Sequence, residues 1–246
     1  MGICMKIRIF QKGFNYSQDG QGNRLVYHLQ GCNMCCPWCS NPEGLSDSSP
    51  TCAEYEIDEI ISEVLSSKAI FFGGGGITLT GGEPTLQFDV IKLLLLRLKD
   101  ENIHTALETN GTHNKLDELF PIIDELIIDL KHYNNELHMA CTKLSNKTVI
   151  SNIQKVKDKR TQLLLRIPLI NGFNADIKDI DGFIKLLKSF VFDGLRVELL
   201  TYHEFGKDKW KISGIEYRYE NGFVSPEVLN EFNMRLNNNG IKTVKT

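Results

Sequence analysis

The chain has 246 residues, 41 % of them apolar, with seven cysteines and a formal net charge of -3. That composition can fill the core of one α/β barrel, and the acidic balance argues against nucleic acid or an anionic membrane as a partner. The apolar runs, of which 93–96 is the densest, fall far short of the ~20 residues of a membrane span, and the first ten residues read as neither a signal peptide nor an anchor.

The periodicity predicts repeated βα units. The first strand is expected at 24–30. A helix over 55–67 places Ile57, Ile60, Ile61, Val64 and Leu65 on one face, and a strand follows at 77–80. Next come a helix at 89–99, a strand at 103–108, a helix at 116–120 and a strand at 126–130. The remainder reads as helix 147–157, strand 163–168, helix 176–189 with Ile177, Ile180, Phe183, Ile184 and Leu187 on one face, strand 195–200, and helix 226–236 capped by Ser225. Without repeats or linkers, one domain is expected, a partial (β/α)6 TIM-like barrel. Such barrels carry their sites at the C-terminal ends of the strands. The Cys-rich loop, Gly81-Gly82-Glu83-Pro84, Glu108-Thr109-Asn110-Gly111, Asp129-Leu130-Lys131, Arg166 and Thr201-Tyr202-His203 all fall at that rim.

Residues 32–39 read Cys-Asn-Met-Cys-Cys-Pro-Trp-Cys. Two CxxC pairs would suit zinc, but structural zinc sites separate their pairs by about a dozen residues or more, and Cys35 and Cys36 are adjacent. Cys36-Pro37-Trp38-Cys39 has the spacing of a redox dithiol, yet such dithiols open a helix, and residues 40–44 are a turn sequence. Cys32, Cys36 and Cys39 form a third set, C-x3-C-x2-C, with Cys35 as a bystander. Cubane clusters normally take four thiolates, so three leave one iron open to chemistry. Seven cysteines crowded this way suit a reducing cytoplasm, and Cys4, Cys52 and Cys141 read as packing residues. The run 73–76 reads as a flexible entry to its strand rather than a phosphate nest. Period two puts Asp129 and Lys131 on one face, opposite Leu130.

On the triplet, with Trp38 just before its last cysteine, the chain resembles the radical S-adenosylmethionine (SAM) superfamily. The resemblance implies one [4Fe-4S] cluster held by Cys32, Cys36 and Cys39, with the methionine end of SAM on the fourth iron. Gly81-Gly82-Glu83 resembles the superfamily's GGE motif, whose backbone and acid receive the SAM amino group; Glu108 and Thr109 are expected to help bind the methionine end or a small monovalent cation. Residues 19–22, 30–32, 107–111, 129–131 and the run 202–210 are similar to the activating enzymes of glycyl radical enzymes, above all those acting on pyruvate formate-lyase. The chain resembles their compact type, without a ferredoxin-like insertion.

That likeness implies abstraction of a hydrogen atom from a glycine of a partner glycyl radical enzyme, with flavodoxin or ferredoxin as electron donor and a monomeric, cytoplasmic activase. It implies a SAM pocket of Trp38, Cys39, Ser40, Gly81, Gly82, Glu83, Glu108, Asp129, Leu130, Lys131, Arg166 and His203, with Lys131 and His203 beside the cluster cysteines in catalysis. Lys207, Lys209 and Trp210 are expected to meet the partner. The chain departs from the pattern at Gln21 (usually Pro), at Asn23 (usually apolar) and at Thr142-Lys143 (usually Thr-Gly). A radical SAM enzyme acting on a small molecule or peptide, and an iron-sulfur or zinc assembly protein, are the rival readings.

Overall fold

A computed structural model describes residues 5–16, 18–159 and 161–245; Cys4 lies outside them. The strands are β1 (Lys6–Tyr16), β2 (Asn23–Leu29), β3 (Ala53–Glu56), β4 (Gly76–Gly81), β5 (Thr105–Thr109), β6 (Glu125–Asp129), β7 (Gln162–Leu169), β8 (Leu195–Thr201) and β9 (Thr243–Val244). The helices are α1 (Ile57–Ser66), α2 (Phe88–Asp100), α3 (Asn135–Thr142), α4 (Lys147–Lys159), α5 (Ile177–Leu187), α6 (Lys207–Ile212) and α7 (Pro226–Asn238). All strands join one sheet in the order β3-β1-β2-β4-β5-β6-β7-β8-β9, whose ends do not meet. The run from β2 through β8 is parallel, so the expected partial barrel is borne out.

Parallel strands covered by helices are buried on both faces and read as apolar runs. β6 is of this kind, with Leu126, Ile127 and Ile128 fully buried. Helix α1 turns Ile57, Ile60, Ile61 and Val64 into the core, while Leu65, expected on that face, is exposed. Helix α5 buries Ile180, Phe183, Ile184 and Leu187 but leaves Ile177 exposed in its first turn. Ser225 caps α7 as expected, its side chain accepting from the Val228 N–H.

The strands absent from the sequence reading lie at the edges of the sheet. β1 pairs antiparallel with β2, and β3 antiparallel with β1; the outer half of β1 is largely exposed, so it lacks the apolar signature of the parallel strands. Tyr55 and Glu56 close β3 instead of opening a helix, and Glu56 then forms a capping box with Glu59. The helix expected at 116–120 is two short 3-10 turns, Leu116–Glu118 and Phe120–Ile122, the second carrying Pro121 in its first positions. Helix α3 begins at the Asn134 cap, which accepts from the Glu136 and Leu137 N–H groups. No described helix is long and apolar enough to cross a membrane.

The departure at Lys143 has a conformational consequence. Lys143 is the C-cap of α3 at φ 71°, a left-handed position that costs a side-chain-bearing residue about 1–2 kcal/mol and that glycine usually fills. Lys143→Gly relieves this but makes the unfolded chain freer. A net gain of about 0.5–1 kcal/mol, or roughly 2 °C in melting temperature, is expected in thermal denaturation; an unchanged or lower midpoint would show that the position carries no strain.

Candidate active site

The ends of β2, β4, β5, β6, β7 and β8 surround one cavity of about 300 Å³. Cys32, Cys36 and Cys39 all line it. Cys35, between them, is exposed, while its N–H donates to the Thr142 carbonyl at 3.1 Å. The loop offers N–H groups to two sulfurs: Met34 to Cys32 Sγ and Asn41 to Cys39 Sγ, each at 3.4 Å. Burial pushes the Cys32 and Cys36 thiols up to about 12 and the Cys39 thiol up to about 11; the nearby Lys131 ammonium pulls the other way. Three desolvated thiols around one cavity, two of them with amide donors, form a donor set suited to a thiolate-ligated cluster, where hydrogen bonds to sulfur tune the iron. Among the described residues no three His, Cys, Asp or Glu gather around a single-ion position; a cubane asks only that each thiolate reach its own iron.

Trp38 packs beneath this loop, its ring 4.6 Å from that of Phe173 and 5.4 Å from that of Tyr219. The loop is clamped from above by Trp210 of α6, whose indole Nε1–H donates to the Cys39 carbonyl at 2.8 Å. Gly206 leads into α6 so close to the loop that a Cβ there would lie 2.7 Å from Ser40 Cα. Trp210 is 7 % exposed, and Lys209 reaches Asn41 Oδ1 at 3.2 Å and Glu43 at 3.5 Å. Both therefore brace the loop, and the burial of Trp210 corrects the expectation that it meets a partner. Lys207 does project outward, paired with Glu204.

Gly81 and Gly82 line the cavity where β4 ends. The Gly82 N–H donates to the Leu29 carbonyl at 3.0 Å, and a Cβ on Gly82 would lie 2.1 Å from the Gly31 oxygen, so the turn lies flat against the exit of β2. Glu83 corrects its expected role. Its side chain is fully buried outside the cavity lining, accepting from Thr85 N at 3.0 Å, Thr109 Oγ1 and Asn110 N at 2.7 Å each, and the Thr85 hydroxyl. Burial raises this acid and the four donors oppose the rise. With both oxygens taken, the carboxylate ties the β4 and β5 rims together rather than facing a ligand.

Asp129 and Lys131 both line the cavity and pair at 2.8 Å. Burial alone would lower the ammonium, but Asp129 and the Cys36 and Cys39 sulfurs outweigh it, so Lys131 is held charged. Leu130 corrects its expected place: it is fully buried in the main core and forms no part of the lining. Arg166 also lies behind the lining, 4 % exposed in its side chain, donating to Glu108 Oε1 at 2.7 Å, to Glu198 Oε2 at 2.9 Å and to the Gln18 carbonyl. Burial pushes Glu108 up to about 7 against the pull of Arg166. Thr80 donates to the other Glu108 oxygen at 3.1 Å, so both oxygens have side-chain partners. His203 sits on the exposed rim, stacked on Phe205 at 4.4 Å, and partial burial lowers its pKa.

Asp19 and His28 are titratable lining residues that the sequence left without a role. Asp19 enters from the turn before β2 and His28 from β2 itself. Asp19 stood in a quoted motif without a role; His28 alternates along a strand whose inward face only the sheet register reveals.

A catalytic cavity at the C-terminal rim of an open parallel barrel, with three thiols on its first loop, defines the class. Residues 26–187 match the Radical SAM superfamily, and the chain belongs to that family. It is 33 % identical over 212 residues to the pyruvate formate-lyase-activating enzyme of Staphylococcus aureus (strain USA300), covering 82 % of this chain and 83 % of that one, and is thus a radical SAM enzyme homologous to that activase. A crystal structure of a domain of pyruvate-formate lyase-activating enzyme from Bacteroides vulgatus superposes with a TM-score of 0.58 at 29 % identity, over 70 % of this chain and 98 % of that domain. A radical SAM methyltransferase from Sphaerobacter thermophilus shares the fold, with a TM-score of 0.66 at 17 % identity over 97 % of this chain and 72 % of that one. The cofactors of the family are a [4Fe-4S] cluster and SAM.

Proposed function

We propose that this enzyme activates a glycyl radical enzyme, pyruvate formate-lyase or a relative, by taking a hydrogen atom from one glycine of that partner. The observation that carries the reading is the convergence of three thiols, a half-buried Asp129–Lys131 pair and the Gly81-Gly82 turn on one cavity that opens beside the 202–210 segment. When bound, the cluster and SAM supply the 5'-deoxyadenosyl radical that removes the hydrogen.

Cys32, Cys36 and Cys39 hold the cluster. Lys131 and Asp129 offer a cation and an anion in fixed relation to a zwitterionic ligand, and the backbone at Gly81-Gly82 approaches its amino group. Trp38 and Ser40 shape the wall beside the loop, and His203 borders the side through which a glycine-bearing loop enters. A protein substrate suits a barrel whose sheet stays open and whose rim residue Phe205 is 84 % exposed. The electron donor is a flavodoxin or ferredoxin, and the activase acts as a monomer.

Incubating the reduced holoenzyme and SAM with pyruvate formate-lyase should produce a glycyl radical signal in electron paramagnetic resonance. Lys131→Ala and Asp129→Ala should each weaken SAM binding about tenfold or more, because a hydrogen bond to a charged group is worth roughly 1.5–3 kcal/mol, while the cluster absorbance persists. SAM titrations unchanged in both variants would return the pair to a structural role. SAM cleavage without a glycyl radical on any such partner would favour a small-molecule or peptide substrate.

A further inference from the structure

The cavity mouth must admit SAM and the substrate glycine, so an electron donor has to approach the cluster loop from another side. The structure offers one. Cys36 is 8 % exposed and faces the cavity, while Cys35, its neighbour in the chain, is exposed. At this point the width of the loop itself separates the cavity from solvent. Asn33 is also exposed and donates to Thr112 Oγ1 at 2.9 Å, and the Cys35 N–H donates to the Thr142 carbonyl. The outer face of the loop is thus framed by the segment after β5 and the segment joining α3 to α4.

Those two segments carry Lys115, Lys143 and Lys147, all exposed. None of the three forms an ion pair with a described carboxylate, although the chain as a whole is acidic. The nearby acids Glu118 and Asp117 are neutralised by Lys92 at 2.6 Å and Lys155 at 2.9 Å; Asp89 is the acid left along the cleft that Asn33 shares with His113 and Lys115. Two of the lysines stand where local physics favours another residue. Lys143 occupies the left-handed cap, and Lys147 opens α4 in a first turn that holds no acid, against the preference for negative charge at that end of a helix. Lys143 carries its ammonium at a helix C-terminus, where positive charge is favoured, and donates to the Ala140 carbonyl at 2.8 Å; Lys147 alone keeps its charge against local preference.

We propose that this face, centred on Cys35 and ringed by Lys115, Lys143 and Lys147, docks an electron-carrier protein with an acidic rim around its redox group. The proposal rests on the activase reading and adds the place where the electron enters. The carrier gives up one electron and is oxidised by one; the cluster takes that electron, and SAM cleavage consumes it. Charge complementarity of this kind acts mainly on encounter and orientation.

The test uses the holoenzyme and an acidic flavodoxin. Binding of the oxidised flavodoxin is titrated at low salt against the parent, against the triple variant Lys115→Glu, Lys143→Glu, Lys147→Glu, and against Lys185→Glu on α5 as a control. Dissociation constants about tenfold or more above the parent, with a flattened salt dependence, are expected for the triple variant alone. SAM cleavage driven by dithionite should be equal in all three proteins. Unchanged binding in the triple variant, or an equal loss in Lys185→Glu, would overturn the proposal. Because binding is read with the oxidised carrier, failure of dithionite-driven cleavage in the parent would count against the activase reading, and the titration would still decide the docking surface.

Discussion

Cys36→Ser is expected to strip anaerobically purified protein of most of its iron, whereas Cys35→Ser should retain close to four irons per chain, about the content of a single cubane. The two residues are neighbours in sequence and chemically identical, so the contrast isolates position. Cys36 faces the cavity together with Cys32 and Cys39; Cys35 is exposed and outside the lining. Serine at Cys36 puts a poor ligand where a thiolate is needed, and Cys32→Ser and Cys39→Ser should behave alike. Iron and sulfide determination together with the visible absorbance would decide the matter. An equal loss of iron in Cys35→Ser would remove the basis for the three-cysteine assignment.

The second large effect is expected at Arg166. Its guanidinium bonds Glu108 and Glu198 at once, and the side chains of Arg166 and Glu198 are each 4 % exposed. Arg166→Met leaves two buried carboxylates without their shared cation, and breaking a buried ion pair in this way costs about 3–5 kcal/mol. The sign with pH follows from Glu108. Burial already lifts this acid to about 7, above its ordinary value of 4.5, so the folded state keeps a proton that the unfolded chain gives up. Stability is therefore lost as pH rises from the ordinary carboxylate range towards 7. Removing the nearest positive charge lifts the acid further, widening that window upwards. Denaturant unfolding should show a modest deficit for Arg166→Met near pH 5 and the full deficit near pH 8. A deficit below about 1 kcal/mol, or one that does not change with pH, would mean that the network is solvated rather than buried.

The sequence alone determined the parts of this enzyme that depend on local spacing. Three sulfurs at C-x3-C-x2-C on one short loop can converge whatever surrounds them. The period-two placement of Asp129 and Lys131 and the apolar runs of the parallel strands follow from backbone geometry, and the rule that barrel sites lie at strand C-termini placed the rest of the rim. The tertiary structure decided which way the side chains beyond those strand ends turn. Glu83 directly follows a cavity-lining glycine, yet donors from Thr85, Thr109 and Asn110 draw it into the interior. Trp210 looked like a surface contact because its acceptor, the Cys39 carbonyl, is 171 positions away in the chain. Arg166 likewise answers to Glu198 on the neighbouring β8 and to Glu108 on β5, two strands away across β6, which only the order of strands in the sheet brings within its reach. A buried polar group must find a partner or forfeit its hydration, and where partners come from distant segments, the fold chooses its direction.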